Sequence, residues 1–474
     1  MLTKSKTKLP DLLASGQKAR LIPVGSEGSK EGRATSILLS TLSAVHEFSQ
    51  HMFGAVGVRI GSRTNIEVYT EIVFADKEGK SKLRPDGLII INAGKGQWKA
   101  LVEAKIGNSE LNSDQIRDYL ALAKKYKIDA VITISNQYAA IPTHYPVPLK
   151  KSDLKGVRIY HWSWMFVLTE AILLLKSMGV KDEDQRFLLS EMVRYYDHPS
   201  VGVSSFGTMN AEWKDVVLKV KSGSKLTKTS DEVVNTVGSW HQEARDLCLI
   251  LSRDLAVPVS LRLSRKNKND PLNRLKDDCE QLVSKQTLTC ELDIPYAASP
   301  LLVIADLTRR TVACLMRVQA PKDKKRPTAK LNWILRQLKD IDPEDVYVRA
   351  LTHGRSGNVQ APLHAIRENP RAVLLNGGVE IQPVAFEVIM VRDLAGKFSG
   401  RSTFIKVVED VVSRFYEVAG QNLQAWTPKA PKVSKDKKDE APDLGERETI
   451  TVVYKEDASD VEVKEMDELP EQNG

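Results

Sequence analysis

The sequence predicts an α/β chain of two folded domains followed by a charged tail that does not fold. Three observations carry this. The chain has 474 residues, more than the roughly 100–200 of one ordinary domain. Its apolar residues change period, from helical spacing to short β-branched runs and back. Two shifts in composition divide it: a Pro/Gly-containing stretch at 198–208, with Pro199, Gly202 and Gly207, and a Pro-, Lys-, Asp- and Glu-rich run from Thr427 onward.

Residues 1–33 are polar and basic and read as an arm. Over 34–54 the apolar residues Ile37, Leu38, Leu42, Val45 and Phe48 recur at helical spacing. Residues 66–74 and 86–91 are rich in Val, Ile and Tyr and predict strands. Ala93-Gly94-Lys95-Gly96 is a turn, and 98–106 a third strand. Asn112 or Ser113 can cap a helix running to about Lys127. The β-branched run at 130–134 predicts a buried strand, 157–161 another, and 164–177 a buried helix. The first domain is thus 34–205, read in the order helix, three strands, helix, strand. Residues 210–425 alternate helical and strand patterns and read as a second, α+β domain. From 427 to 474 large apolar residues are too few to offset chain entropy, which predicts disorder.

Composition narrows the function. Hydrophobic residues make up 42% and charged residues 27%, enough for a buried core and too polar for a membrane protein. The longest apolar run, 164–175, carries Glu170 and is too short to span a bilayer. The N-terminus MLTKSKTKLP has no apolar stretch of the secretory kind. Cys248, Cys279, Cys290 and Cys314 are scattered without CxxC spacing. That excludes a disulfide scaffold and a cysteine zinc ribbon, predicts buried thiols, and fits a reducing, cytoplasmic compartment. Net charge is +8, but eight Lys/Arg against fourteen Asp/Glu leave the tail at −6 and residues 1–426 at +14. A basic body points to a polyanion such as nucleic acid.

The chemistry concentrates at 83–106. The segment reads Leu83-Arg84-Pro85-Asp86-Gly87-Leu88, then Leu101-Val102-Glu103-Ala104-Lys105-Ile106. E-x-K occurs four times in the chain, but only Glu103/Lys105 lies within an apolar strand preceded by an Asp on another. In a two-residue hairpin, facing positions add to a constant. A Gly94-Lys95 turn sets it at 189, and Asp86 and Glu103 add to 189. The two carboxylates then face each other with Cβ atoms about 5 Å apart. Lys105 shares the face of Glu103, while Val102, Ala104 and Ile106 point into a core. Two such carboxylates repel unless a proton or a cation intervenes. Mg²⁺ takes one or two carboxylates, waters and substrate phosphate oxygens, and the lysine adds fixed positive charge. The set suits metal-assisted phosphodiester hydrolysis; the bland alternative is a salt-bridge ladder on a surface hairpin.

Asp86, Glu103-Ala104-Lys105 and the flanking element order resemble the PD-(D/E)XK nuclease superfamily, including its Pro-Asp pair. Gln115-Ile116-Arg117-Asp118-Tyr119 resembles the QxxxY motif of RecB-like and λ-exonuclease-like branches, with Gln115 and Tyr119 on one helix face. The resemblance covers roughly residues 30–140. It implies a restriction-endonuclease-like core, a mixed sheet flanked by helices. It also implies a metal-dependent deoxyribonuclease, with Asp86 and Glu103 as ligands of Mg²⁺ (Mn²⁺ substituting), Lys105 as the catalytic cation and Gln115 and Tyr119 holding the substrate strand. Family members usually add an acid from the first helix; here the candidates are Glu31, favoured, and Glu47, with Glu71 on the first strand a third.

Arg309, Arg310, Arg317, Lys322, Lys324, Lys325, Arg326 and Lys330 read as one phosphate-backbone patch or, equally, as a solvated loop. His161 beside Trp162 reads as a core histidine. The expected partner is DNA, in defence against foreign DNA or in repair. A homo-oligomer and a protein partner at 210–425 stay open. The competing reading is a nuclease-fold protein that binds nucleic acid or a partner without catalysis.

Overall fold

A computed structural model of the chain describes residues 9–22, 30–76, 79–80, 83–94, 96–147, 149–150, 152–341 and 345–428. Most of the tail expected over 427–474, and Lys95 of the expected turn, lie outside these residues. The chain is mixed α/β, with a mixed sheet flanked by helices.

The first sheet grows around the predicted hairpin. Strands β1 (Leu13–Lys18), β2 (Asn65–Asp76), the short β3 (Gly79–Lys80), β4 (Gly87–Ala93), β5 (Gly96–Ala104), β6 (Ala130–Ser135) and β7 (Arg158–Ser163) order as β1-β2-β4-β5-β6-β7, with β3 on β2. β1 to β5 pair antiparallel; β5, β6 and β7 are parallel. The central strands bury side chains on both faces, as a covered sheet requires. One face, with Ile89, Ile91, Val102, Ala104, Ile132 and Trp162, packs under helices α1 (Lys30–Ala44), α2 (His46–Gly54), α4 (Trp164–Lys176) and α5 (Glu183–Asp197). The other, with Leu88, Ile90, Leu101 and Val131, packs under α3 (Ser113–Lys125).

Two expectations change here. The arm at 1–33 contains β1, which pairs with β2; its sequence LASGQK has no alternating apolar pattern, and Leu13 alone is buried in it. The single helix expected over 34–54 is two. Val45 is extended (φ −107°, ψ 105°) with its side chain in the core, and the His46 N–H, left without a helical acceptor, donates to Gln185 Oε1 at 2.9 Å.

The second sheet orders as β13-β12-β16-β11-β10-β9-β8. Its strands are β8 (Ser260–Leu261), β9 (Thr287–Asp293), β10 (Leu301–Asp306), β11 (Thr311–Gln319), β12 (Val346–Thr352), β13 (Gly354–Pro362) and β16 (Ala385–Asp393), and β14 (Leu375–Asn376) and β15 (Val379–Glu380) form a separate ribbon. Helices α6 (Trp213–Lys221), α7 (Asp231–Leu255), α8 (Arg265–Asn269), α9 (Pro271–Lys285), α10 (Pro327–Gln337), α11 (Leu363–Glu368), α12 (Arg371–Leu374) and α13 (Arg401–Val418) complete this half. Its core is separate, around Trp213, Trp240, Phe398 and Phe404. All four cysteines are buried free thiols.

The halves join in one compact unit, residues 1–427. The connector is pinned on both sides. Asn136 Nδ2 donates to the carbonyls of Gly107 and Gly202, and the Phe206 N–H donates to Asp246 Oδ2 of α7 at 2.7 Å. Gly202 has φ +90°, and a Cβ there would stand 3.3 Å from the Gly107 nitrogen, so glycine is needed on both counts. Among the described residues no helix is long and apolar enough to cross a membrane.

Candidate active site

The β4–β5 ladder runs from Ala93↔Gly96 to Gly87↔Val102, every pair adding to 189. Asp86 precedes the first paired residue and stands at the open end of the hairpin, where the next partner in register is Glu103. Gly87 fixes this corner. A Cβ on it would lie 2.6 Å from Leu39 Cδ1 of α1 and 3.2 Å from the Tyr69 carbonyl oxygen. Only glycine lets α1 sit this close behind the strand that delivers Asp86.

Asp86 Oδ2 accepts the Ala104 N–H at 2.8 Å, which holds the carboxylate across the strand end. Glu103 is 1% exposed. Its Oε1 accepts from Lys105 Nζ at 2.6 Å, and its Oε2 is buried with no hydrogen-bond partner. Lys105 is fixed at its backbone too. Its N–H donates to the Ile134 carbonyl at 2.7 Å, and the indole N–H of Trp164 donates to its carbonyl at 2.8 Å. Trp164 packs on Tyr196, whose hydroxyl donates to the Ala34 carbonyl and so ties the site to α1.

Glu31, in the first turn of α1, reaches the site. Its Oε2 lies 3.8 Å from Lys105 Nζ, and its Oε1 accepts from the Ile106 N–H at 3.4 Å. Glu47 stands on the separate helix α2, and these contacts of Lys105 and Ile106 are with Glu31. Glu71 sits at φ +52° on β2 and accepts from Gln17 Nε2 of β1 at 2.7 Å.

Gln115 and Tyr119 share a face of α3, as their spacing requires. Asn112 caps that helix, accepting from the Asp114 and Gln115 N–H groups. Gln115 Nε2 donates to the Tyr119 hydroxyl at 3.0 Å, and that hydroxyl donates to the Arg84 carbonyl at 3.2 Å. The pair therefore braces the chain two residues before Asp86.

The electrostatics follow from three acids around one ammonium. Burial and the charge of Glu103 push the Asp86 carboxyl up to about 7, against the pull of the Ala104 N–H and of Lys105. Burial lowers the Lys105 ammonium, but its hydrogen bond to Glu103 and the charges of Glu103, Asp86 and Glu31 outweigh this and raise it. Burial and the Glu103 charge also raise the Tyr119 hydroxyl. Near neutral pH Asp86 thus holds its proton only in part, beside a buried Glu103 oxygen without a donor. A divalent cation satisfies both features, and the donor set, carboxylate oxygens, suits Mg²⁺. Among the described residues no group of three or more His, Cys, Asp and Glu converges on one point; two carboxylates with waters and phosphate oxygens are within what Mg²⁺ accepts.

The basic residues of the second half do not form one patch. Arg309 and Arg310 occupy the β10–β11 turn, and Arg309 stands 3.9 Å from Asp306. Arg317, Lys322, Lys324, Lys325 and Arg326 lie at or beyond the opposite end of β11, about 25–30 Å away by strand rise. Lys330 is turned inward, donating to the Pro383 carbonyl at 2.9 Å. His161 is a core residue, 2% exposed, bonded to Thr133 and the Gln137 carbonyl, its pKa pushed down by burial to about 4.

The sequence reading missed Trp164, Gly87 and the Arg84 carbonyl. Trp164 opens an apolar run and looks like core; only the strand-to-helix junction at Ser163 hints that its ring returns to the β5 end. Compared with protein families, curated proteins and solved structures, the chain matches none. Function is therefore read from the side chains themselves.

Proposed function

We propose that the chain is a metal-dependent deoxyribonuclease of the PD-(D/E)XK kind, with a restriction-endonuclease-like first half. One observation carries the reading. Asp86 and Glu103 meet at the open end of a hairpin with Lys105 beside them, and the buried Glu103 Oε2 has no partner. Glu243 and Asp246 of the second half also leave buried carboxylate oxygens without partners, but neither stands beside a lysine and a second acid at a strand end.

Asp86 and Glu103 would hold Mg²⁺ or Mn²⁺. Such an ion supplies charge at the phosphoryl group and lowers the pKa of a bound water. The chain's own groups do the rest. Lys105, fixed at its N–H, its carbonyl and its ammonium, presents positive charge where the scissile phosphate gains negative charge. Glu31 adds a second, longer-range counter-charge to that ammonium at 3.8 Å. Tyr119 and Gln115 hold the Arg84 carbonyl and so aim Asp86. Asp86, with its carboxyl near neutrality, releases its proton as the site is loaded.

The test is cleavage of circular and linear DNA in Mg²⁺, Mn²⁺ or EDTA by wild type, Asp86→Asn and Lys105→Ala. We expect metal-dependent cutting that falls about 10²–10³-fold or more in either variant, the usual loss when one charge-stabilising group goes. Nicked circles against shortened ends tell endonuclease from exonuclease. Cutting that survives both substitutions, or none with any metal beside intact DNA binding, sinks the proposal and leaves a binding module.

A further inference from the structure

At one end of the second sheet a bulky side chain is held in an unfavourable backbone state and aimed at solvent. Tyr296, in the turn between β9 and β10, has φ +64° and is 102% exposed. A left-handed tyrosine is sterically costly, and a fully exposed ring recovers nothing from burial. Such strain is kept where the exposed group is used. The turn is anchored, since the Arg317 N–H donates to Ser299 Oγ at 3.1 Å and the Ala297 N–H to the Ile294 carbonyl at 3.2 Å. The same sheet end carries Arg317 and the segment 322–326, because β11 runs from its turn at Arg310 toward this side. Asp323 is the one acid within 317–330. Among the described residues, no hydrogen bond or ion pair is made by the side chains of Arg317, Lys322, Lys324, Lys325 and Arg326.

We propose that this end of the second sheet binds single-stranded nucleic acid, with Tyr296 stacking on an unpaired base and Arg317, Lys322, Lys324, Lys325 and Arg326 tracking the phosphates. Exposed aromatic rings beside unpaired cations are how sequence-tolerant single-strand binders work, because every base offers a π-face. A duplex covers its base faces and leaves the ring nothing to stack on. Arg309 and Arg310, at the far end of β11, lie outside the site. The inference stands apart from the nuclease reading, since binding here needs neither Asp86 nor a metal.

The test is fluorescence anisotropy with the full-length protein in EDTA, so that no strand is cut. The probes are labelled dT20 and U20, a dT20·dA20 duplex, and polyglutamate as competitor. We expect tighter binding of a single strand than of the duplex, DNA against RNA giving the sugar preference. Tyr296→Ala should weaken single-strand binding about ten-fold and leave its salt dependence unchanged; Tyr296→Trp should retain it. Lys322→Ala with Lys325→Ala should lower the slope of log K against log salt by about 1.4, roughly 0.7 per lost phosphate contact. Arg309→Glu should change little. Wild-type affinity in Tyr296→Ala overturns the proposal. So does duplex binding with the same dependence on Tyr296, and so does polyglutamate binding that needs the ring, which marks an acidic protein partner instead.

Discussion

Replacing Asp86 by Asn should make the metal-free protein more stable, although it removes a group that the proposed cleavage needs. The Asp86 carboxyl titrates near 7 in the folded chain against an ordinary 3.8, through burial and the charge of Glu103. Unfolded chains release this proton near pH 4, folded ones near pH 7. Between those values the folded state binds more protons, so rising pH costs it stability, and above about pH 7 the full cost is present. At about 1.36 kcal/mol per pKa unit the ceiling is about 4 kcal/mol at pH 8, falling below about 2 kcal/mol at pH 5. Asn keeps an oxygen for the Ala104 N–H and carries no charge. With an unfolding entropy of about 2.1 cal/mol/K per residue over the compact unit of residues 1–427, the gain is at most about 4 °C. The assay is thermal unfolding in EDTA across that pH range, then with millimolar Mg²⁺. We expect the variant to melt above wild type at pH 8, the gap to close toward pH 4, and Mg²⁺ to raise wild type alone. A variant that melts lower at pH 8 in EDTA, or an equal Mg²⁺ shift in both, refutes the reasoning.

Other expectations follow from single contacts. Glu31→Gln should reduce DNA cleavage by about ten-fold or more, because it loosens Lys105, while Glu47→Gln should leave rates near wild type; equal effects would remove Glu31 from the site. Gly87→Ala should cost about 1–3 kcal/mol in urea unfolding, since its Cβ meets Leu39 at 2.6 Å; a neutral result would mean α1 moves freely behind β4. Tyr296→Gly should raise stability by about 1 kcal/mol by relieving φ +64°, and a loss would show that the tyrosine contributes packing after all.

What was legible in the sequence was what short-range geometry dictates. A two-residue turn fixes every facing pair of a hairpin, so Asp86 and Glu103 could be set opposite each other from their numbers alone. Helical spacing joined Gln115 to Tyr119 in the same way. Where periodicity persists across a break, the reading failed: the pattern through Val45 continues, and only the core's claim on that side chain and the offer of Gln185 to the His46 N–H divide the helix. β1 was invisible because its pairing supplies backbone bonds while its side chains supply little burial. The basic residues misled for the opposite reason, since neighbours in sequence along 309–326 are held apart by the full length of an extended strand. The indole of Trp164 on the Lys105 carbonyl joins positions 59 apart, beyond any local rule.

The hairpin register has a consequence for how this chain can vary. The acids stand at the end of the hairpin farthest from its turn, about 25 Å from Gly94 by strand rise. Substitutions at the tip therefore touch nothing chemical. A change of length there is another matter, because it obeys parity. Two residues added to the strands together carry the alternation through and keep both carboxylates on one face. A single inserted residue turns Glu103 and Lys105 together to the opposite face of the sheet and brings Val102 and Ala104 round in their place. A turn remote from the acids is thus also a counter, and changes in its length must come in even steps.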